Sequence, residues 1–256
     1  MSQQFTVRID GADGRAALHR QVLASLPEHF RIVAKGNADA SLWSADDPLP
    51  ADARVLVLAD GTVPKPVNNG PVIIPVARFA PRLAADAGFA RACGSSFRLI
   101  NTVATFAASN KSPELLAYLD ALSAIRLLTG ARPRLASFDR ACQGFAATLT
   151  LDGHRSVVTL AAIGQTSTTA DTLTVDAISD TLRLHARLDA GALARPGYIE
   201  LSDAAGSSRA PLVHQNDYRL TWLAAHTVLL GGEPRLASVH SQRREDFEAW
   251  QLATGA

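Results

Sequence analysis

Phe5, Val7 and Ile9 alternate with Thr6, Arg8 and Asp10, and from Arg15 onward Ala17, Leu18, Val22, Leu23 and Leu26 recur at helical spacing. The change of period predicts a strand, a tight exit at Gly11 and an amphipathic helix packed back on the strand. Residues 30–34 (FRIVA) repeat the strand pattern, and Ser41 to Trp43 reads as a short apolar interruption in a polar connection. Residues 53–59 (ARVLVLA) and 72–76 (VIIPV) are continuous apolar runs of the kind buried parallel strands carry, with Pro75 pushing the second toward an edge or bulge. No helical pattern lies between them, although a parallel crossover normally needs one.

Residues 78–92 read as a short helical piece and 97–106 as a loosely alternating strand. Ser112-Pro113-Glu114 is a helix start and Gly130 a matching stop. Between them Leu115, Leu119, Leu122 and Ile125 form a core stripe, whereas Ala117, Asp120, Ala121 and Ala124 form a small-residue face carrying one carboxylate. From residue 134 the pattern becomes strands without intervening helices: 134–138, 145–151, 156–163, 172–178 and 181–188, with 198–202 as an added edge. Asp152-Gly153 is a hairpin signal, so antiparallel pairing follows. Helices over 216–230 and 244–253 close the chain. The order predicts α/β followed by α+β: a shortened Rossmann-like parallel-sheet domain over 1–95, then a mainly antiparallel open-sheet domain over 96–256.

Composition narrows the picture. A chain of 256 residues, 47% hydrophobic, can bury two modest cores. A net charge of +1 without a basic, aromatic-interleaved stripe gives nucleic acid no footing. Cys93 and Cys142 make no disulfide framework and no metal-ligand spacing, His214 and His226 lack carboxylate partners at ligand spacing, and no metal site is expected. The first ten residues lack a signal-peptide pattern and no run reaches membrane-spanning length, so a cytoplasmic protein without a membrane segment is the expectation.

The turn after the first strand carries the candidate chemistry. A Rossmann loop wants G-x-G-x-x-G or A, the second glycine letting backbone amides approach a pyrophosphate. Gly11 and Ala16 meet the first and third requirements, Asp13 violates the second, and Gly14 is additional. A carboxylate about 4 Å from a phosphate costs roughly 4 kcal/mol at an effective dielectric near 20, about three decades of affinity, unless Asp13 turns outward. The acid that would hold a ribose at the end of the second strand is replaced by Gly36-Asn37, with Asp39 beyond. Asn37 is placed to bond a hydroxyl and Lys35 to meet a 2′-phosphate; both also suit a plain turn. These residues predict weak NAD or NADP binding, and also fit any strand-turn-helix start.

GADGRAALH at 11–19, ARVLVLAD at 53–60, ARFAP at 77–81, LDALSAIRLLTG at 119–130, and DYRLTWLAAHTVLLGGEP with the SQRREDF tail together resemble the Gfo/Idh/MocA oxidoreductases, the family of glucose-fructose oxidoreductase and inositol dehydrogenase. The resemblance implies the two-domain fold, a histidine (His19) early in the first helix, and an open sheet serving as a homodimer face. It also implies that Asp120 stands where the family has a catalytic histidine, and that Lys65, between Pro64 and Pro66, is the relic of the family's E-K-P lysine. Three functions follow: a degenerate homologue acting as a binding subunit or as partner of a full-length oxidoreductase; an active NAD(P)-dependent enzyme on a sugar-like or small carbonyl substrate, using Lys65 and Asp120; and a non-redox acid–base enzyme using Asp120.

Overall fold

A computed structural model describes residues 3–11, 13–44, 47–50, 52–58, 70–76, 78–85, 87–107, 113–153, 155–165, 171–190, 197–209, 216–232 and 237–255. Contacts divide the chain into two compact units, residues 1–77 with 217–244, and residues 78–216 with 245–256. The division expected near residue 95 differs from this one in two ways. The short helices after residue 78 pack with the second sheet and its helix, and the helix at 217–229 packs with the first sheet.

In the first unit, strands β1 (Phe5–Ile9), β2 (Phe30–Val33), β3 (Ala40–Trp43), β4 (Val55–Leu58) and β5 (Val72–Pro75) form one sheet in the order β2-β1-β3-β4-β5. Every pair is parallel. The alternation of β1 sends Phe5, Val7 and Ile9 into a core shared with Leu23 and Leu26 of α1 (Gly14–Ala24) and Trp222, Ala225 and Leu229 of α5 (Asp217–Leu229). Both helices lie on this face. The opposite face carries Thr6 and the buried Ser41 on β1 and β3 and, among the described residues, a small apolar cluster of Trp43, Ala53, Leu56, Leu58 and Ile73.

Ser41 to Trp43, an interruption in the sequence reading, belongs to a central strand. Four residues too short for a periodic signal become β3 because buried neighbours flank them on both sides. The chain reaches β3 from β2 across β1 in residues 34–39, half the dozen that a parallel crossover usually takes. Asp39 supports this shortcut: its carboxylate accepts from the Thr6 amide and hydroxyl, each at 2.8 Å. The connection between β4 and β5, where no crossover helix is expected, lies outside the described residues apart from its last two.

The second unit is built on an eight-stranded sheet in the order β13-β12-β11-β10-β6-β9-β8-β7. Its strands are β6 (Leu99–Ala107), β7 (Pro133–Ala141), β8 (Gly144–Leu151), β9 (Val157–Gln165), β10 (Thr172–Ile178), β11 (Leu182–Asp189), β12 (Tyr198–Asp203) and β13 (Gly206–Arg209). The antiparallel expectation holds for every pair except β6 with β9, which is parallel. The sequence reading placed the edge at 198–202, but β13 pairs beyond it, a strand of small polar residues with no apolar alternation to reveal it.

Helix α4 (Pro113–Thr129) lies on one face of this sheet, against β6, β7 and β9, with α2 (Ala80–Ala85) and α3 (Ala87–Ala92) beside it. The two faces read from sequence are both interior: Ala117, Leu119, Ala121, Leu122, Ala124 and Ile125 are all buried. Small alanines let the sheet and the neighbouring helices approach from two sides. Tyr118, Phe138, Phe145 and Trp250, the last from α6 (Ala237–Thr254), stack into an aromatic cluster, and Arg126 forms a buried ion pair with Asp246. Burial, then the charge of Asp246, pushes the Tyr118 phenol above its usual range.

Candidate functional site

The first candidate site is the turn from β1 into α1. Gly11 has φ +87°, the left-handed geometry that makes glycine necessary there. Asp13 follows as the helix cap: its Oδ1 accepts from the Ala16 amide at 2.8 Å, and its carbonyl accepts from the Ala17 amide. The Asp13 side chain does not turn away from the helix. Its carboxylate occupies the amide end that a Rossmann loop offers to a pyrophosphate, and so supplies internally the anion that this end attracts. From the other side the Arg20 guanidinium donates to the carbonyls of Ile9 (2.9 Å) and Gly11 (2.6 Å), fixing the turn. Gly14 opens α1 and has open space around it.

Asn37 is exposed in the turn after β2, where Gly36 takes φ +93°. The nearest acid, Asp39, is committed to Thr6. Arg8 reaches from β1 to Asp10 and Asp52, each at 3.2 Å. The residues at this strand edge therefore fit a tightly held dinucleotide poorly: one carboxylate covers the helix start, and the other acid is engaged inside the sheet.

His19 stands behind the turn and is fully buried. Its Nδ1 accepts from the Trp222 indole N–H at 3.0 Å, and Tyr218 meets its ring edge-on at 5.1 Å. Nε2 then carries the proton and has no hydrogen-bond partner among the described residues. Burial pushes the imidazole down to about 4, against the opposing charge of Asp13. The unfolded chain binds this proton near pH 6.5, so stability from the neutral histidine is complete above pH 6.5 and is lost as pH falls toward 4. The total loss is about 3 kcal/mol. In His19→Gln, thermal midpoints between pH 7 and pH 4 are expected to fall less steeply than in the wild type; equal slopes would remove His19 from the acid response.

The second candidate site is in the other unit, around Asp120 on α4. This carboxylate is 2% exposed and accepts from Arg78 Nε at 2.6 Å. The other arm of Arg78 pairs with Asp171, whose Oδ1 accepts from the Ala107 amide at 2.8 Å and whose carbonyl accepts from the Ala190 amide. Arg78 thus ties the middle of α4 to the corner where β6, β10 and β11 meet. Oδ2 of the Asp120 carboxylate is thereby engaged by Arg78. Sequence reasoning singled out Asp120 and the R-F-x-P stretch separately but had no signal joining them; Asp171, after a polar tract, carries none at all. Lys65 lies outside the described residues. Among the described residues no group of histidine, cysteine, aspartate and glutamate is arranged to hold a metal ion, and no helix is long and apolar enough to cross a membrane.

No family model and no curated protein matches the sequence. Solved structures do match over nearly the whole chain. Aldose-aldose oxidoreductase from Caulobacter crescentus is 13% identical, with TM-score 0.63, over 99% of this chain and 98% of its own. The transcriptional regulator Gal80p from Kluyveromyces lactis is 11% identical, with TM-score 0.63, over 99% and 93%. A variant 3-ketoreductase from Actinomadura kijaniata, solved with TDP-benzene and NADP, is 12% identical, with TM-score 0.56, over 99% and 98%. At these identities the likeness is one of fold. The chain has the two-domain fold of the Gfo/Idh/MocA oxidoreductases, a parallel Rossmann-like sheet followed by a mostly antiparallel open one, as the motifs in its sequence imply.

Proposed function

We propose that this chain is a degenerate Gfo/Idh/MocA-type homologue in which dinucleotide binding and hydride transfer are weakened or lost, and which serves as a binding or partner subunit. The observation that carries this reading is the Asp13 carboxylate seated on the Ala16 amide. The pairing of Asp120 with Arg78 supports it, as does the occurrence of the same fold in a protein described as a transcriptional regulator. Titration with NADH and NADPH, followed by nicotinamide fluorescence and thermal shift, tests it. Absence of binding at millimolar cofactor is expected; micromolar binding would overturn the reading. It would favour the second one, an NAD(P)-dependent oxidoreductase on a sugar-like or small carbonyl substrate, which the oxidoreductases sharing the fold and the NADP in one of them support.

The partner we assign to the open face of the eight-stranded sheet is a second copy of the chain, centred on β9. Val157 and Ile163 are 56% and 47% exposed there, and Leu99 is register-paired with Val157 on β6. Sedimentation is expected to give a dimer that Val157→Glu converts to monomer; a monomeric wild type would exclude the assignment. Two cysteines only, Cys93 and Cys142, both exposed, suit the cytoplasm in which we place the protein.

A further inference from the structure

On the same open sheet face, three neighbouring strands bring an acid, an imidazole and a phenol into line. Asp176 on β10 stands directly opposite His185 on β11, and its Oδ1 is 2.7 Å from His185 Nδ1. His185 Nε2 is 2.6 Å from the hydroxyl of Tyr198 on β12. An ionised carboxylate only accepts, so Nδ1 carries the proton, Nε2 presents its lone pair, and the Tyr198 hydroxyl is the donor. The result has the logic of a nucleophile, a base and an orienting acid, here with a phenol as the nucleophile.

Two guanidinium groups flank the row. The Arg209 guanidinium lies 4.4 Å over the Tyr198 ring, and Arg183 is 3.4 Å from Asp176. A shallow hollow lined by Arg183, His185, Glu200 and Ser202 opens beside the imidazole. The three residues sit on register-paired strands, so their alignment is held by the sheet and not by loops. Four strand spacings, about 19 Å, separate Tyr198 from β9.

We propose that Tyr198 is a nucleophilic phenol, activated by His185 and Asp176, that accepts an acyl group from an activated acyl donor. In the transfer the Tyr198 oxygen bonds to the acyl carbon, the bond from that carbon to its leaving group breaks, and the phenol proton passes to His185 Nε2 and on to the leaving group. No oxidant or reductant is required.

N-acetylimidazole is the probe, with acetylation of each tyrosine read by peptide mass spectrometry and reversed by hydroxylamine. Tyr218, also half-buried, is the internal comparator. Tyr198 is expected to react at least about tenfold faster than Tyr218, and His185→Gln and Asp176→Asn are each expected to remove that advantage. A hydrogen bond that merely ties the strands together would do the opposite, since freeing the hydroxyl would raise its reactivity. An unchanged or faster Tyr198 in His185→Gln overturns the proposal. So does a wild-type Tyr198 no faster than Tyr218, a comparison that needs no variant to fold.

Discussion

Arg78→Met is expected to destabilise the second unit by about 3–5 kcal/mol, among the largest effects available to a single substitution here. The reason is what it leaves behind. Asp120 is 2% and Asp171 9% exposed, and both address the same guanidinium. Without it two buried carboxylates share one site, and one must take up a proton or draw in water. The thermal midpoint should fall by roughly 10 °C. Arg78→Lys should recover little, because a point charge cannot bridge two carboxylates as a planar fork does. The double substitution Arg78→Met with Asp120→Leu should be milder than Arg78→Met alone, since it removes one stranded charge together with its partner. Equal losses in both would mean that Asp120 contributes nothing to the tie.

Asp13→Gly is expected to raise affinity for NADH or NADPH by up to about three decades, the equivalent of roughly 4 kcal/mol of repulsion removed from the helix start. The helix itself should lose only a few tenths of a kcal/mol, because glycine is tolerated at the cap. Asp13→Asn keeps a capping oxygen on the Ala16 amide but discards the charge, so its gain should be intermediate. The order Gly, Asn, wild type in a fluorescence titration would assign the weakness to this side chain. Equal, weak binding in all three would move the obstacle elsewhere, with the committed Asp39 the next residue to alter.

How far the sequence could be read depended on whether a residue's role was local. Asp13 could be flagged because its fault lies within one turn, and a helix cap three residues before Ala16 is a local geometry. Its direction was left open by the sequence: a carboxylate beside free amides gains more by capping them than by facing water. The long strands of the second sheet were legible because their alternation runs for seven to nine residues. β3, with four, had too few positions to establish a period. Arg78 with Asp171, Asp176 with His185, and His185 with Tyr198 are separated by 93, 9 and 13 residues, and nothing in their spacing announces that the fold joins them. Asp120 drew attention as a carboxylate on a face of alanines, but its partner arrived from another element, and the partner decides what the carboxylate can do.

Trp222 gives the first unit an order of assembly. Its indole closes the core of the first sheet and supplies the only hydrogen bond described for the His19 side chain, yet α5, which carries it, begins 140 residues after that unit's first segment ends at residue 77. At ribosomal rates the five strands and α1 exist for roughly 7 to 28 s before α5 can join them. During that interval Val7, Val55, Val57 and Ile74 have no helix α5 to cover them. The nascent first unit therefore keeps an uncovered apolar face until the chain is nearly finished, and a chain truncated before residue 217 is expected to aggregate.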